Sequence, residues 1–566
     1  MAESVASWLA RYASSIVAGL GSQARCVARR AWPKGWSLRI GRGALGRSVA
    51  RWQRDWPQLE RLARVGSATE PGCAVDRVEA LVRQHRYGAC VRAFRRDCRW
   101  CLDDPEADPS GAARAVAAAI VSLRRSGCEA EARRLLHELP RVLRRHWLVV
   151  RAGHDVLVRH SPRAAITLLE GARVPAAARR SVRRLGALSV ARAHAGDSAA
   201  SVLAAFETEA EAAGLDARTA GFGVLSAALA ARAGRHDVAW RSVNAELGRV
   251  GLAPLDVPKP AGPIRTDTLS VSAGDSLPAR RELVTVIMSA YRAEASIDRA
   301  IASVLAQSHE RLELIVVDDA SDDATGDRVL AWRSRDARVR LLRRQANGGP
   351  YTCRNMALAE AQGHYVTTHD ADDWAHPHRL RWQLHALRRH GALGCVTGWV
   401  RLAADGQLGL RDDGTLLHED LSSFVYDRRV FDALGGFDEV RVSADTEFRS
   451  RVLARFGRAA LVRADDVLAA FGSLHAASLT RAGGVAYDEF GFNLQRAAYW
   501  CAARAWHERC RRAGKTPMLI PGGPRPFAAP APVTARAGND PGGNDPGGND
   551  PGGHGPGACG TKERRT

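Results

Sequence analysis

The sequence predicts two folded regions and a disordered tail. An all-α helical-hairpin region comes first, and an α/β domain with a mixed, mostly parallel sheet follows it. Between about residues 71 and 255 the chain is rich in Ala, Leu and Arg and shows almost no strand-like alternation. After residue 282, β-rich apolar runs alternate with helical stripes, which is typical of an α/β sheet domain. The chain ends in a segment dense in Pro and Gly, which cannot bury a core.

Charge and cysteine content limit the class of protein. The formal net charge is +21, which favours contact with phosphates, anionic lipid or nucleic acid, although a GC-rich genome would explain the arginines equally well. The 11 cysteines are scattered, which argues against a disulfide framework and fits a reducing compartment. No apolar run is long enough to span a bilayer, and no signal peptide is recognisable. We therefore expect a cytoplasmic protein, with peripheral contact at the inner face of the membrane as an option.

The first 70 residues are predicted to form a basic helical segment. Apolar residues recur at helical spacing from Val5 to Ile16, and an arginine-rich stretch follows. Such a segment can lie on an anionic membrane surface or pack as an ordinary helix on its own protein. Packing on the protein is the favoured interpretation.

The region 71–255 is predicted to be a repeat-like array of helical hairpins. Four similar turns lead into helices that carry an alanine where two helices would approach closely: Ala132, Ala165, Ala200 and Ala239. Their spacing of 33 to 39 residues is near the 34-residue period of tetratricopeptide repeats. The full repeat signature is absent, so the sequence supports a repeat-like region and no more.

Three further segments complete the predicted organisation. Residues 256–281 collect Pro, Gly, Ser and Thr without periodicity, as a linker does. The α/β domain is expected at 282–485 and a C-terminal helix at 486–515. Residues 516–566 contain a repeated GNDPG motif and are predicted to be a disordered tail.

Acidic side chains follow two of the predicted strands. The run Leu312–Val317 ends directly in Asp318 and Asp319, and the run Tyr365–Thr368 is followed by Asp370, Asp372 and Asp373. Ligands of parallel α/β sheets bind at the carboxyl ends of the strands. Carboxylates crowded in this way repel one another, so a divalent cation is the expected partner. A solvated turn that caps the next helix is an equally simple explanation.

A glycine-rich turn follows another predicted strand. Val339–Leu342 leads into Gln345–Pro350, which opens a helix that carries Arg354. A Gly-rich turn before a helix N-terminus presents free N–H groups, and with an arginine nearby it suits a diphosphate.

Six motifs together resemble the family 2 glycosyltransferases with a GT-A fold. They are VTVIMSAY, ELIVVDDASDDAT, NGGPYTCRN, GHYVTTHDADD, GGFDE and SADTEF, and they run in that family's order from about Val284 to Thr480. The resemblance covers roughly a third of the chain. It implies that a nucleotide-sugar donor binds here, most often a UDP-sugar, with Mg²⁺ or Mn²⁺ as cofactor.

The resemblance also assigns roles on the donor side. Tyr291 would pack against the nucleotide base, and Asp319 would accept a hydrogen bond from it, while Asn347, Gly348, Arg354 and Asp370 would complete the donor site. Asp370 and Asp372 would form the DxD motif. Asp372 and Asp373 would bind the metal, and His475 would approach the metal or the diphosphate, although an isolated histidine is more often structural.

On the acceptor side the resemblance points to Asp445. As general base it would remove the proton of the acceptor hydroxyl in a single displacement with inversion. By position alone Asp445 could merely cap the helix that follows, and Glu447 is the substitute candidate. His369 stands where the family commonly has an apolar residue.

We therefore expect a metal-dependent, inverting enzyme that transfers a single sugar. The acceptor would be a glycan, a lipid-linked sugar or a protein, within bacterial surface polysaccharide or glycoconjugate synthesis. Neither membrane spans nor the motif of processive polysaccharide synthases is present, and no nucleic-acid partner is expected. The alternative is a non-catalytic helical-repeat scaffold whose glycosyltransferase-like domain binds nucleotide sugar without turnover.

Overall fold

The computed structural model describes residues 71–534, apart from 85, 99, 175–180, 273, 275–280, 476–477, 479–482 and 489–490. The predicted basic segment 1–70 and the tail from residue 535 lie outside the described residues. Among the described helices, none is both long and apolar enough to cross a membrane.

The first region is helical, as the sequence predicts. Short turns join the helices into hairpins. Of the four alanines expected where helices approach closely, Ala132, Ala165 and Ala239 are fully buried, whereas Ala200 is exposed. Asp108 shows how the sequence starts one of them, because its carboxylate accepts a hydrogen bond from Gly111 N (2.8 Å) and Pro109 opens the helix. The helices are α1 Pro71–Arg83, α2 Tyr87–Asp97, α3 Trp100–Asp103, α4 Pro109–Arg125, α5 Glu129–Glu138, α6 Arg141–Arg144, α7 Trp147–Leu157, α8 Pro162–Glu170, α9 Val182–His194, α10 Ala199–Ala212, α11 Phe222–Arg232 and α12 His236–Arg249.

The predicted linker is irregular but packed. Its described residues form neither helix nor strand. Ile264 and Leu269 are nevertheless buried in the same apolar cluster as Leu255, just before the linker. The segment is therefore held against the protein and does not behave as a free tether.

The second region is built on one mixed sheet of nine strands, in the order β3-β2-β1-β4-β8-β6-β9-β5 with β7 beside β6. The β1–β2, β1–β4, β2–β3 and β6–β9 ladders are parallel and long, whereas the antiparallel ladders pair two residues each. The strands are β1 Val284–Ala290, β2 Leu312–Asp318, β3 Val339–Arg343, β4 Tyr365–Thr368, β5 Trp374–Ala375, β6 Gly394–Ala403, β7 His418–Glu419, β8 Val425–Asp427 and β9 Leu461–Leu474.

Helices connect these strands and cover the sheet. The parallel strands β1 and β2 are buried on both faces, which explains why they read as continuous apolar runs. The helices are α13 Ile297–Leu305, α14 Thr325–Arg333, α15 Pro350–Glu360, α16 Arg379–His390, α17 Arg429–Leu434, α18 Ala444–Phe456, α19 Leu494–Arg512 and α20 Ala531–Thr534.

The helical region packs directly on the sheet domain. Trp240 and Leu255 share one buried apolar cluster with Trp374, Leu468 and Phe471 of the sheet domain. Polar contacts reinforce this interface: the His376 imidazole lies 2.9 Å from Ala253 O, and Arg159 and Arg183 pair with Asp412 and Asp413. One apolar cluster therefore spans the two regions, in addition to clusters that lie within each region.

Residues 516–534 correct the predicted start of the disordered tail. Leu519, Phe527 and Val533 are buried in the core of the sheet domain, and Arg525 Nε donates to Asp438 at 2.8 Å. The high Pro and Gly content of this stretch led to the prediction of disorder, although its three buried apolar residues are enough to hold it against the domain. The rest of the predicted tail, from residue 535, lies outside the described residues.

Candidate functional site

The carboxyl ends of β1, β2 and β4 meet at one edge of the sheet and carry half of the predicted site residues. Asp319 N donates to Ala290 O at 2.8 Å, which ties the ends of β1 and β2 together. Backbone strain is concentrated at the same edge. In the described part of the chain, the non-glycine residues with positive φ are Arg292 (49°), Ala320 (61°) and Ser443 (76°), which follow β1, follow β2 and precede α18.

Tyr291 offers an open aromatic face at this edge. Its side chain is 43% exposed, which is unusual for a large ring beside a buried strand. The Arg292 guanidinium lies 5.3 Å from the ring centre and is held in turn by the Asp322 carboxylate. The arrangement leaves the ring available for stacking, as predicted for a nucleotide base.

The Asp319 carboxylate is hydrogen-bonded to the glycine-rich turn. Its carboxylate is buried and accepts from Gly348 N (2.9 Å) and Gly349 N (2.7 Å), and Arg344 Nε lies 3.0 Å from it. The two backbone N–H groups that we expected to be free for a diphosphate therefore point at Asp319. The carboxylate fixes the turn, which the local sequence could not indicate because the two segments lie far apart in the chain.

Two buried polar atoms near this turn lack a hydrogen bond in the described part of the chain. One is Asn347 Oδ1 and the other is Arg354 Nε. The Arg354 Nη2 group donates to Asp370 Oδ1 at 2.8 Å. Burial alone would lower the pKa of Arg354, but the negative charges of Asp370 and Asp445 outweigh burial and raise the pKa. Arg354 is thus a fully charged group with a donor to spare.

Four carboxylates share this part of the molecule. Burial raises the pKa of Asp370, and the charges of Asp372, Asp420 and Asp445 raise it further, while Arg354 opposes them. Asp370, Asp372 and Asp445 were predicted as site residues from the sequence. The cluster gives the local excess of negative charge that a bound cation would relieve.

Asp372 and His475 meet across the site. His475 Nε2 lies 2.8 Å from Asp372 Oδ2, and the two side chains are 46% and 33% exposed. Ser473 Oγ donates to the backbone carbonyl of Asp372 and holds its loop against β9. The pair is therefore placed at the surface of the site, where a ligand can reach it.

Asp373 is turned away from this pair. Its side chain is buried, and Oδ1 accepts from Ser473 N at 3.0 Å. Burial, together with the charges of Asp372 and Asp370, raises the pKa of Asp373 well above its usual range. Asp373, predicted as a metal ligand, therefore holds β9 in place through Ser473 N. Its carboxylate does not face the same side of the turn as that of Asp372, which contacts His475.

The carboxylates at this edge are suitable ligands for a hard divalent cation, but they do not fill its coordination sphere. No group of three or more His, Cys, Asp or Glu residues that could hold a metal is assembled among the described residues. Asp370 and Asp372 supply carboxylate oxygens, which Mg²⁺ and Mn²⁺ prefer. Such a cation would take its remaining ligands from water and from the phosphates of a bound nucleotide.

Asp445 lies in the first turn of α18. The residue is half-buried, and its Oδ1 accepts from Thr446 N (2.6 Å) and Thr446 Oγ1 (3.2 Å). Its other oxygen makes no hydrogen bond within the described residues. This oxygen is therefore the one that a ligand hydroxyl could reach, as a general base requires.

Glu447, the substitute candidate, is committed elsewhere. Its side chain is fully buried in an ion pair with Arg451 (2.7 Å), and His507 Nε2 lies 2.8 Å from it. Burial would raise the pKa of Glu447, but Arg451 and His507 overcome that effect and lower it. Glu447 therefore holds α18 against α19 and is not accessible to a substrate.

Asp420 is the member of the cluster that sequence reasoning missed. It is 2% exposed, its N–H donates to Thr397 O (2.9 Å), and Oδ1 accepts from Ser422 Oγ (2.8 Å). Burial raises its pKa, opposed by Arg379 and by the Ser422 and Ser423 hydroxyls. The available signal was an acidic pair, Glu419-Asp420, close before the apolar run that forms β8.

Comparison with known sequences agrees with the geometry. Residues 285–434 match the family described as "Glycosyl transferase family 2". This segment contains β1 to β8 and all predicted donor-side residues, but not Asp445 or His475. The segment is thus a family 2 glycosyltransferase domain that is homologous to bacterial glycosyltransferases.

Individual relatives match the same part of the chain. TuaG of Bacillus subtilis, named as a teichuronic acid biosynthesis glycosyltransferase, is 36% identical over 126 residues, which cover 22% of this chain and 50% of TuaG. The succinoglycan biosynthesis protein ExoO of Rhizobium meliloti is 31% identical over 191 residues, covering 33% and 54%. The Escherichia coli UDP-Glc:alpha-D-GlcNAc-diphosphoundecaprenol beta-1,3-glucosyltransferase WfgD is 36% identical over 108 residues, covering 19% and 42%. The chain therefore spans about half the length of these curated relatives.

Among solved structures, the chain is similar to Staphylococcus aureus TarS 1-349 in complex with UDP-GlcNAc. The identity is 17% and the TM-score is 0.30, over 40% of this chain and 72% of that one.

Proposed function

We propose that this chain, whose residues 285–434 are a family 2 glycosyltransferase domain, transfers a single sugar from a nucleotide-diphosphate donor with inversion. The acceptor would be a glycan, a lipid-linked sugar or a protein in bacterial surface polysaccharide or glycoconjugate synthesis. The observation that carries the proposal is the cluster of Asp370, Asp372, Asp420 and Asp445 beside the carboxyl edge of the parallel strands. Binding sites of α/β sheets lie at this edge.

On the donor side, Tyr291 would stack on the base and Arg354 would face the diphosphate with its unpaired Nε. We assign Asp319 to holding the Gly348-Gly349 turn beside the base, since its oxygens already accept the two backbone N–H groups. A UDP-sugar is the proposed donor. The name of the Escherichia coli relative, which specifies UDP-glucose, supports this choice.

Asp370 and Asp372 would hold Mg²⁺ or Mn²⁺, with His475 beside them. When bound, the cation would supply positive charge to the diphosphate leaving group. Asp373 is not needed for this role, because its carboxylate fastens the backbone of Ser473.

Asp445 would act as the general base. Its free oxygen would accept the proton of the acceptor hydroxyl while that oxygen bonds to the anomeric carbon. The bond from the anomeric carbon to the diphosphate breaks on the opposite face. One displacement of this kind inverts the configuration of the sugar.

Donor hydrolysis tests the proposal directly. Purified protein is incubated with a panel of nucleotide sugars and Mn²⁺ or Mg²⁺, and released nucleoside diphosphate is measured. We expect metal-dependent release from one donor and its loss in Asp372→Asn. The matched control is Asp405→Asn, an exposed aspartate in the turn between β6 and β7, which should retain full release.

The alternative function, a scaffold that binds nucleotide sugar without turnover, predicts a different pattern. It is supported if no donor is hydrolysed although calorimetry detects donor binding, and if acceptor extracts still yield no transfer. If Asp372→Asn releases nucleoside diphosphate as fast as the wild type, the protein is an enzyme but the assigned metal site is wrong.

A further inference from the structure

A large cleft separates the helical region from α18 and α19 of the sheet domain. Its volume is about 1740 Å³. Helices α1, α4, α7 and α9 line one wall, and α18 and α19 line the other. Contacts close the cleft at one end, where Cys501 Sγ donates to Gln84 O and the Tyr87 ring lies 5.5 Å from that of Phe492. The cleft is therefore a built recess between two packed regions.

The cleft is strongly basic. Among the described residues that line it, 13 are arginines and 4 are carboxylates. The carboxylates are already engaged: Asp413 pairs with Arg183, and Glu508 pairs with Arg511. Glu79 and Asp155 also have basic partners. A large positive charge consequently remains uncompensated inside a recess, where Coulomb interactions are stronger than on an open surface.

Arginines without a hydrogen bond or ion pair in the described part of the chain lie on both walls. Arg151 of α7 and Arg504 of α19 are two of them, and each keeps part of its side chain in contact with solvent. Burial by the cleft walls lowers the pKa of Arg151, as does the nearby Arg183. Burial and the nearby Arg449 do the same for Arg504. Cations crowded in this way are stabilised by an anion.

Helix α18 connects the cleft with the proposed reaction site. Asp445, Arg449 and Leu453 are spaced four residues apart, so they lie on one face of the helix. Arg449, a cleft residue, is one turn or about 6 Å along the axis from the proposed base. Its guanidinium also pairs with Glu419, the neighbour of Asp420. A chain lying in the cleft would thus reach Asp445.

We propose that this cleft binds the acceptor, and that the acceptor is an anionic glycan chain carrying phosphate or carboxylate groups. This inference rests on the proposed function and names its substrate class. A bilayer surface does not enter a recess between two domains. Single-stranded nucleic acid needs several aromatic faces for stacking, whereas Trp147 is the sole Phe, Tyr or Trp among the described lining residues.

Fluorescence anisotropy with full-length protein tests the proposal. The probes are end-labelled oligogalacturonate, phosphorylated maltodextrin and neutral maltodextrin of matched length. We expect both charged probes to bind and the neutral probe to bind at least tenfold more weakly. Arg151→Ala/Arg504→Ala should weaken binding of the charged probes about tenfold or more, because charge-assisted hydrogen bonds are lost.

The matched control is Arg134→Ala/Arg335→Ala. It removes two exposed arginines, one from each region, that do not line the cleft. We expect its affinity for the charged probes to stay within twofold of the wild type. Arg151→Lys/Arg504→Lys keeps the charge and should restore part of the binding, with circular dichroism confirming the fold of every variant. A carboxylate acceptor is indicated if oligogalacturonate binds more tightly than the phosphorylated probe, and a phosphate acceptor by the reverse.

The proposal is overturned if the neutral probe binds equally well, or if the two double alanine variants behave alike. Tighter binding to a single-stranded oligonucleotide or to phosphatidylglycerol vesicles, lost in the same variant, would also overturn it. Donor hydrolysis by the wild-type protein separates the two proposals. Hydrolysis without charged-probe binding contradicts the cleft alone, whereas charged-probe binding with neither donor hydrolysis nor sugar transfer contradicts the enzymatic function alone.

Discussion

The position of Asp420 shows how single residues shape this site. The carboxylate is buried near Asp370 and Asp373 and raises the pKa of both by repulsion. Arg379, which is also fully buried, attracts it but makes no hydrogen bond within the described residues. Asp420 therefore adds negative charge to the predicted cation site without reaching its surface.

We expect Asp420→Asn to weaken cation binding. The amide keeps the oxygen that accepts from Ser422 but removes the charge, so the Mn²⁺ concentration for half-maximal donor hydrolysis should rise roughly tenfold. A Mn²⁺ titration of the hydrolysis rate measures this. Asp405→Asn serves as the control and should leave the titration unchanged. An unaltered Mn²⁺ requirement in Asp420→Asn would remove this residue from the site.

Single residues also mark the limit of prediction from sequence. Asp370 and Asp372 were predicted from the recognisable end of β4, whereas His475, which lies 2.8 Å from Asp372, was placed by the resemblance alone because β9 was not predicted. Asp319 and Glu447 have partners far away in the chain, in the glycine turn and on α19. No local pattern reveals such partners.

At the scale of elements, the parallel half of the sheet was the predictable part. The predicted strands at Leu312–Val317, Val339–Leu342 and Tyr365–Thr368 correspond to β2, β3 and β4 to within one residue. The continuous apolar runs of β1 and β2 reflect burial on both faces. The longest strand, β9, escaped prediction because its first half carries exposed polar residues and its register with β6 shifts twice.

The C-terminal strap, residues 516–534, depends on one glycine in the sheet domain. Gly435 has φ +76°, and a Cβ there would overlap the Leu519 carbonyl oxygen. We expect Gly435→Ala to lower the free energy of unfolding by about 2–4 kcal/mol, through backbone strain and overpacking. Urea unfolding measures the loss, and faster proteolysis of the strap should accompany it.

Gly391→Ala is the matched control for this change. Gly391 has φ +59° at the end of α16, but a Cβ there meets nothing within 4 Å. It should cost only about 1–2 kcal/mol, from the backbone conformation alone. Equal losses in the two variants would show that contact with Leu519 does not matter.

At the scale of the whole molecule, His418 links stability to pH at the junction of the two regions. Burial lowers its pKa from 6.5 to about 3, and Arg411, Arg401 and Arg183 act in the same direction against Asp413. Between those pH values the unfolded chain binds a proton that the folded protein does not. The contribution of His418 to stability is thus intact above pH 6.5 and is lost progressively as the pH falls.

We expect His418→Gln to reduce the loss of stability between pH 6.5 and pH 5. Because His418 is only half-buried, the reduction should be about 1 kcal/mol, which is less than the full pKa difference between the folded and unfolded states would give over this pH range. Urea unfolding at the two pH values measures it. His390→Gln, at an exposed histidine of α16, should keep the wild-type dependence. A wild-type pH dependence in His418→Gln would contradict the assignment.

The apolar cluster that joins Trp240 and Leu255 to Trp374 and Phe471 has a consequence for how such a protein can change. A recombination event that exchanged the helical region alone would leave apolar side chains of the sheet domain against a helical region whose surface does not complement them. The two halves must then be inherited, and engineered, as one piece. Fusing a different helical region to this sheet domain would first require redesigning the apolar interface between them.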